Sequence, residues 1–419
     1  MLNQVSCQDD YDPNSLSSAE ALERIYADLR PVTVSEPVAL RSALGRVLAE
    51  PVHSRINVPS HTNSAMDGYA VRGADLPGSG TARLKVIGSS FAGHPFSGTV
   101  QGGQAVRIMT GAVVPAGSDT VIIQEQAEAH GDDIEIGAGH VAGQNVRNAG
   151  EDIAQGELVL APGRRLNPAD LGLLASLGIT EVRVYRRLRV AFFSTGDELR
   201  SLGEDLAPGE IYDSNRYTLY GMLTQLSADI IDMGVVRDEP ELVNSAFTDA
   251  ARCADVVITS GGVSVGEADY IKETLAAVGQ VSFWKVAMKP GRPLAYGRIG
   301  NATFFGLPGN PVSVMVTFYQ FVQPALRRLM GENPEHMLTI RARTASRLKK
   351  RPGRTEYQRG ILDCDDNGEL VVRKTGAQGS GILSSMSQAN CFIVLPMDQA
   401  NVEPGQMVEV QPFFGLVGS

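Results

Sequence analysis

Residues 256–269 read VVITSGGVSVGEAD. Four apolar or β-branched residues make a buried-type strand, and the glycines and hydroxyls that begin at Ser260 end it. The same grammar recurs on either side. A strand at 190–193 runs into STGDE at 194–198, one at 303–305 runs into GLPGNP at 306–311, and 230–236 is a fourth. Helix starts fall between them, near Ser214, Pro240, Asp269 and Pro311. Strand and helix in alternation predict right-handed crossovers and a mostly parallel, doubly wound α/β sheet over 188–332. Ligands bind such open sheets beyond the carboxyl ends of the strands, so these loops are where chemistry is expected.

Outward from this unit the texture changes. Ser17 and Glu20 form a capping box ahead of Leu22, Ile25 and Leu29, which share one helical face. A second short helix is expected over 40–48. Between 53 and 144 short alternating runs broken by Gly and Pro, such as 83–87 and 120–124, read as an inserted β-rich domain. Asn167-Pro168 followed by Leu171, Leu174, Leu177 and Gly178 is a helix with cap, first-turn Pro and terminal Gly in place. Segments 1–52 and 145–187 are therefore read together as one discontinuous helical region. The last part, 333–419, returns to strands at 338–344, 370–374, 391–395 and 407–410. A small barrel or sandwich fits that pattern, and a C-terminal β barrel is the expectation.

The 419 residues exceed what one core serves, and the net charge of −10 argues against a nucleic-acid coat or a polybasic membrane binder. Cys7, Cys253, Cys364 and Cys391 form no C-x-x-C pair, which excludes a disulfide framework and a cysteine-rich zinc site and suits a reducing cytosol. The polar, acidic first dozen residues do not read as a signal peptide, and no run of about 18 apolar residues suggests a membrane span. A cytoplasmic location is expected.

Paired glycines flanked by hydroxyls, at Ser260, Gly261, Gly262, Ser264 and Gly266, turn successive N–H groups inward as a phosphate-binding nest. The alternative for one such loop is a tight turn that needs left-handed backbone, but three loops on one sheet edge favour a site. Neither a Walker loop nor a G-x-G-x-x-G fingerprint occurs. The same loops carry Asp197, Glu198, Asp213, Asp238, Glu267 and Asp269, which would repel phosphate unless a cation such as Mg²⁺ joins them. Solvated helix N-termini are the plainer reading of each carboxylate. In KVAMKPGRP (285–293), Lys285 and Lys289 are spaced to share one face of an extended strand, either lining a pocket or on a half-exposed edge. The run Arg341, Arg343, Arg347, Lys349, Lys350, Arg351, Arg354 and Arg359, opposed by Glu356, reads as a solvated face or an anion site.

Eight strings occur in order: NSAMDGYA (63–70), RIMTGA (107–112), GEDI (150–153), FSTGDEL (193–199), GEIYDSNR (209–216), TSGGVSVGEADY (259–270), KVAMKPGRP and GLPGNPV (306–312). Together they closely resemble the molybdopterin molybdenumtransferases, the family that includes the C-terminal domain of gephyrin. The resemblance covers nearly the whole chain. It implies an elongated four-domain subunit in a two-fold homodimer that takes adenylylated molybdopterin and molybdate, requires Mg²⁺, and releases AMP and molybdenum cofactor. By motif, Asp67, Thr110 and Asp152 face the cleft, while Glu198, Asp238 and Asp269 form the acidic set, with Asp269 and Glu198 on the metal. Lys285, Lys289, Pro308 and Pro311 position substrate, joined by Arg359 and Ser380. Transient contact with other molybdenum-cofactor biosynthesis proteins is implied as well. One departure stands out: His61-Thr62 replaces the aromatic-Asp pair usual before NSAMDG. The other readings are a molybdopterin adenylyltransferase, which shares the SGG-type loop, and a non-catalytic dimeric scaffold like gephyrin.

Overall fold

A computed structural model describes residues 15–261, 274–277, 279–333 and 337–413. The chain divides into two compact units, one of residues 37–44 and 48–183, the other built mainly from 184 onward with 15–36 and 45–47.

In the first unit, β1 (Gly68–Val71), β2 (Thr81–Ser90), β3 (Gln104–Ile108), β4 (Thr120–Ile123), β5 (Ala127–His130) and β6 (Asp133–Gly137) form one sheet in the order β4-β1-β3-β2-β6-β5. Tyr69, Val71, Leu84, Ala105, Ile122, Ile134 and Ile136 make its core. Asn167 caps the helix Pro168–Ser176 by accepting from the Asp170 amide, and Asp170 answers the Asn167 amide. Gly178 follows in left-handed conformation, as the punctuation predicts. The expected helix over 40–48 does not form. Only Leu40–Ser42 makes a 3-10 turn, and beyond Gly45 the Leu48 backbone pairs with Gly163 and Arg164 as extended chain.

In the second unit, helix α1 (Ser18–Asp28) starts at the Ser17–Glu20 capping box. The central sheet contains β7 (Arg189–Thr195), β8 (Asp229–Val236), β9 (Val256–Ser260), β10 (Gly279–Lys285), β11 (Pro293–Ile299) and β12 (Ala302–Leu307), ordered β8-β7-β9-β12-β11-β10. The pairings among the first four strands are parallel, and β11 pairs antiparallel with both β12 and β10. Every residue of β9 and β12 is buried, which is why both read as unbroken apolar runs. Alternation within β7 builds two layers. Val190 and Phe192 pack with Leu219 and Leu223 of α2 (Ser214–Gln225) and with Val312 and Val314 of α4 (Pro311–Thr317). Ala191 and Phe193 pack on the opposite face with Val243, Phe247 and Ala250 of α3 (Pro240–Cys253). Phe247 sits edge-on to both Phe193 and Phe304, with centroids 5.2 and 5.6 Å away.

The C-terminal strands β13 (Ile340–Thr344), β14 (Thr355–Cys364), β15 (Leu370–Lys374), β16 (Cys391–Leu395) and β17 (Met407–Pro412) run β14-β15-β13-β17-β16, and β16 returns to β14. A ring of five strands closes, so the C-terminal part is a barrel. Its Tyr357, Phe392 and Val394 belong to the same apolar cluster as the α/β core. The link is a helix with a defect. After α4 comes a π-turn, Phe318–Val322, and then the helix Gln323–Leu329. Pro324 has no N–H for the Gln320 carbonyl, so the ladder slips by one residue and the Gln323 amide reaches back to Phe318 O. Tyr319 within the π-turn stacks on Phe413 and meets Phe392 edge-on. Among the described residues no helix is long and apolar enough to cross a membrane.

Phe247→Ala is expected to cost roughly 3–5 kcal/mol, because it leaves a cavity between two aromatic partners. Chemical denaturation followed by circular dichroism would show the midpoint fall. An unchanged midpoint would mean that this layer does not carry the fold.

Candidate active site

Parallel pairing sets the site. Ser194 lies opposite Ser260, and Ser260 opposite Leu307. The three strands therefore end at one level and release their loops side by side. The Gly261 amide donates to Leu307 O at 3.1 Å. Gly261 holds a φ of +94°, and a Cβ there would stand 2.5 Å from the Thr195 carbonyl oxygen, so only glycine fits. Asn215, in the first turn of α2, donates through Nδ2 to Ser260 Oγ at 2.8 Å and to Gly309 O at 2.7 Å.

Among the described residues, four buried oxygens at this edge have no hydrogen-bond partner: Ser194 Oγ, Thr195 Oγ1, Asp213 Oδ2 and Asn215 Oδ1. The other Asp213 oxygen caps α2 by accepting from the Arg216 amide. A buried polar group left unpaired costs about 1–3 kcal/mol, which makes this edge a candidate place for a ligand.

The carboxylates gather only in part. Asp197 Oδ1 accepts from the Asp238 amide at 3.3 Å, which joins the loops after β7 and β8. Glu198 is exposed and folds over Gly196, where a Cβ would lie 2.5 Å from its Oε2. Gly262, Ser264, Gly266 and Asp269 lie outside the described residues. Pro308 is buried in the loop after β12, and Pro311 is the first residue of α4.

Lys285 and Lys289 do not share a strand. Lys285 ends β10 opposite Pro293, whereas Met288–Lys289 forms a separate short strand parallel to β14. The backbone between them is engaged elsewhere. Leu16 donates to Lys285 O and accepts from the Ala287 amide, and the Val286 amide donates to Arg292 O. Lys289 instead lines a cavity of about 260 Å³ together with Lys349, Arg359, Lys374 and Gln378, with Glu356 as its acid. Lys289 Nζ is 3.9 Å from Glu356 Oε1.

Arg359 is 1% exposed, so of the two readings of its basic run the solvated face does not hold at this position. Lys350 is also buried, with its ammonium on Arg351 O. The Arg359 guanidinium donates to Ser385 Oγ and Gly379 O, both neutral, and burial pulls its pKa down to about 10. A buried cation without a carboxylate favours an arriving anion. Ser380 adjoins Gly379, and its carbonyl accepts from the Val312 amide at 3.1 Å, which ties this wall to the start of α4.

In the other unit, β1 and β3 pair Gly68 with Ile108, which sets Asp67 beside the turn after β3. Asp67 Oδ1 accepts from Thr110 Oγ1 at 2.6 Å and from the Thr110 amide at 2.7 Å. These two donors hold the Asp67 carboxyl below the ordinary aspartate range, with Arg107 adding a smaller share. Arg107 lies over the Tyr69 ring and donates to its hydroxyl. Asp152 is exposed, and its amide donates to Val58 O rather than toward Asp67. Thr62 Oγ1 accepts from the Ala149 amide at 3.4 Å.

Residues 16–178 match the MoeA N-terminal region (domain I and II), residues 191–328 the probable molybdopterin binding domain, and residues 341–413 the MoeA C-terminal region (domain IV). The molybdopterin molybdenumtransferase of Haemophilus influenzae is 47% identical over 408 residues, covering 96% of this chain and all of that protein. The chain belongs to the molybdopterin molybdenumtransferase family. The enzyme of that name from Nostoc is 37% identical over 98% of this chain and 99% of its own. In structure, the molybdopterin biosynthesis moeA protein of Pyrococcus horikoshii OT3 superposes with a TM-score of 0.83 at 30% identity, over 95% of this chain and all of that one.

For this molybdenumtransferase-family chain, sequence reasoning passed over Asn215, Lys374 and Gln378, and met Lys349 only as one member of the basic run. Asn215 lies inside a motif but carries no charge to flag it. The others become neighbours only when the barrel closes.

Thr110→Val removes one of the two donors to Asp67 and should raise the Asp67 pKa, because the ionised form loses support. Carboxyl titration by NMR would measure this directly. Any activity that needs ionised Asp67 should then fail at a higher pH on acidification than in the parent. An unmoved titration would remove Thr110 as the cause.

Proposed function

We propose that this protein inserts molybdenum into molybdopterin, taking adenylylated molybdopterin and molybdate and releasing AMP together with molybdenum cofactor. The reading rests above all on Arg359, a buried guanidinium whose hydrogen bonds all go to neutral groups, inside a cavity lined by three lysines. Such a cavity suits a small doubly charged oxyanion like molybdate. Next to it in the chain fold, Gly261 and the loop 308–311 receive the nucleotide-linked pterin at the strand ends. The two places share one segment, since Gly309 is held at the strand edge and Val312 at the barrel.

Magnesium fits the strand edge by donor type. The groups left unpartnered there among the described residues are all oxygens. A hard cation that takes one or two carboxylates, phosphate oxygens and water matches that set. Asp269 and Glu198 would hold it. When bound, magnesium neutralises and polarises the phosphoanhydride. The chain's own part is to seat the phosphates on backbone N–H groups, to keep Asp67 ionised through Thr110, and to hold molybdate against Arg359, Lys289 and Lys374. The anhydride P–O bond breaks on attack by water or by a molybdate oxygen, and AMP leaves. The enzyme is read as a cytoplasmic homodimer in transient contact with other molybdenum-cofactor biosynthesis proteins.

AMP release from adenylylated molybdopterin, with and without molybdate and Mg²⁺, tests the reading. Release is expected only with both present, and Asp269→Asn should depress it strongly at limiting Mg²⁺. Synthesis of adenylylated molybdopterin from ATP would point to the adenylyltransferase instead, and a protein that neither releases AMP nor binds molybdate would be a scaffold. Lys374→Gln should raise the KM for molybdate about tenfold, the size of one lost charge-assisted hydrogen bond. An unaltered molybdate KM would place the oxyanion elsewhere.

A further inference from the structure

We propose that Asn215 is a positioning residue for the pterin-nucleotide substrate, its side-chain amide clamping the loop after β12 to the end of β9. The inference rests on the reading of the strand edge as the substrate site.

Asn215 is 8% exposed, and its two amide protons go to different masters. One meets Ser260 Oγ, on the last residue of a fully buried strand. The other meets the carbonyl of Gly309, in an exposed part of the loop. A carbonyl oxygen only accepts, so the amide cannot be turned over and Oδ1 is fixed on the opposite side. There it is buried without a partner among the described residues.

Rigid strand and exposed loop are thus joined by one planar group. Their approach is close, since a Cβ on Gly309 would lie 4.0 Å from Gly261 Cα. The clamped loop carries Pro308 and Pro311 and continues into α4, whose Val312 amide meets Ser380 O.

Helix α2 does not need the clamp to fold. Leu219, Met222 and Leu223 hold it to the core, Asp213 caps it, and Arg216 shares its Nε–H between both carboxylate oxygens of Asp232. Loss of the amide should therefore free the loop and leave the helix in place.

The test compares Asn215→Ala with Asn215→Asp, which keeps the shape and an acceptor but removes both donors. Steady-state AMP release is measured against each substrate, and amide hydrogen exchange is measured on the unliganded proteins. Both variants should raise the KM for adenylylated molybdopterin about tenfold, as expected for a lost tether, while the KM for molybdate stays within about twofold. Exchange should quicken over 306–313 and remain as in the parent over 391–395. A pterin KM that does not move in either variant overturns the clamp, as does Asn215→Asp behaving like the parent. Faster exchange through the whole α/β unit would also overturn it, by showing a merely structural role. If the parent protein releases no AMP, the substrate reading falls by itself, and unchanged exchange over 306–313 in Asn215→Ala then overturns the clamp independently.

Discussion

The lateral alignment of three parallel strand ends governs this site. Ser194, Ser260 and Leu307 sit level because parallel ladders fix register by backbone hydrogen bonds, and a slip of one residue would send each side chain to the other face. Given that alignment, Gly261 meets Leu307 O, Asn215 spans Ser260 and Gly309, and unpaired oxygens collect at one edge. None of these contacts is local in sequence. Each depends on crossovers that return the chain to the same edge.

The second unit carries two opposite electrostatic environments. One is the oxygen-rich strand edge, which calls for cations and N–H donors. The other is the barrel cavity, where Arg359 is desolvated among lysines and calls for an anion. On the proposed reading, a polyanionic substrate and a separate oxyanion would divide between them. Hydrogen bonds to neutral groups hold Arg359 in place without cancelling its charge, which a carboxylate partner would do.

Much of this was legible in the sequence, for identifiable reasons. Strands buried on both faces, such as β9 and β12, announce themselves as apolar runs, and the caps at Ser17 and Asn167 mark helix starts through local hydrogen bonds. The glycine loops likewise point to the strand ends. Strand β14 was hidden because Glu356, Gln358 and Arg359 occupy buried positions that a hydrophobic pattern assigns to solvent. The separation of Lys285 from Lys289 was hidden as well, since it follows from Leu16 pairing across 270 residues of chain, which spacing does not encode. Asn215 matters for geometry rather than charge, so residue type alone gave it no prominence.

The slipped turn at Phe318–Val322 has a further effect. An ordinary helix advances about 100° per residue, so one residue added to a turn rotates everything beyond it by that angle. Phe318 and Phe321 can then face the sheet layer while Tyr319 reaches Phe413 and Phe392 of the barrel. A single rod thereby joins residues of sheet and barrel in one apolar cluster. The Arg359 cavity and the Gly261 strand edge therefore hang on one frame, and on the proposed reading that frame would set how far apart the ends of a bound molecule can lie.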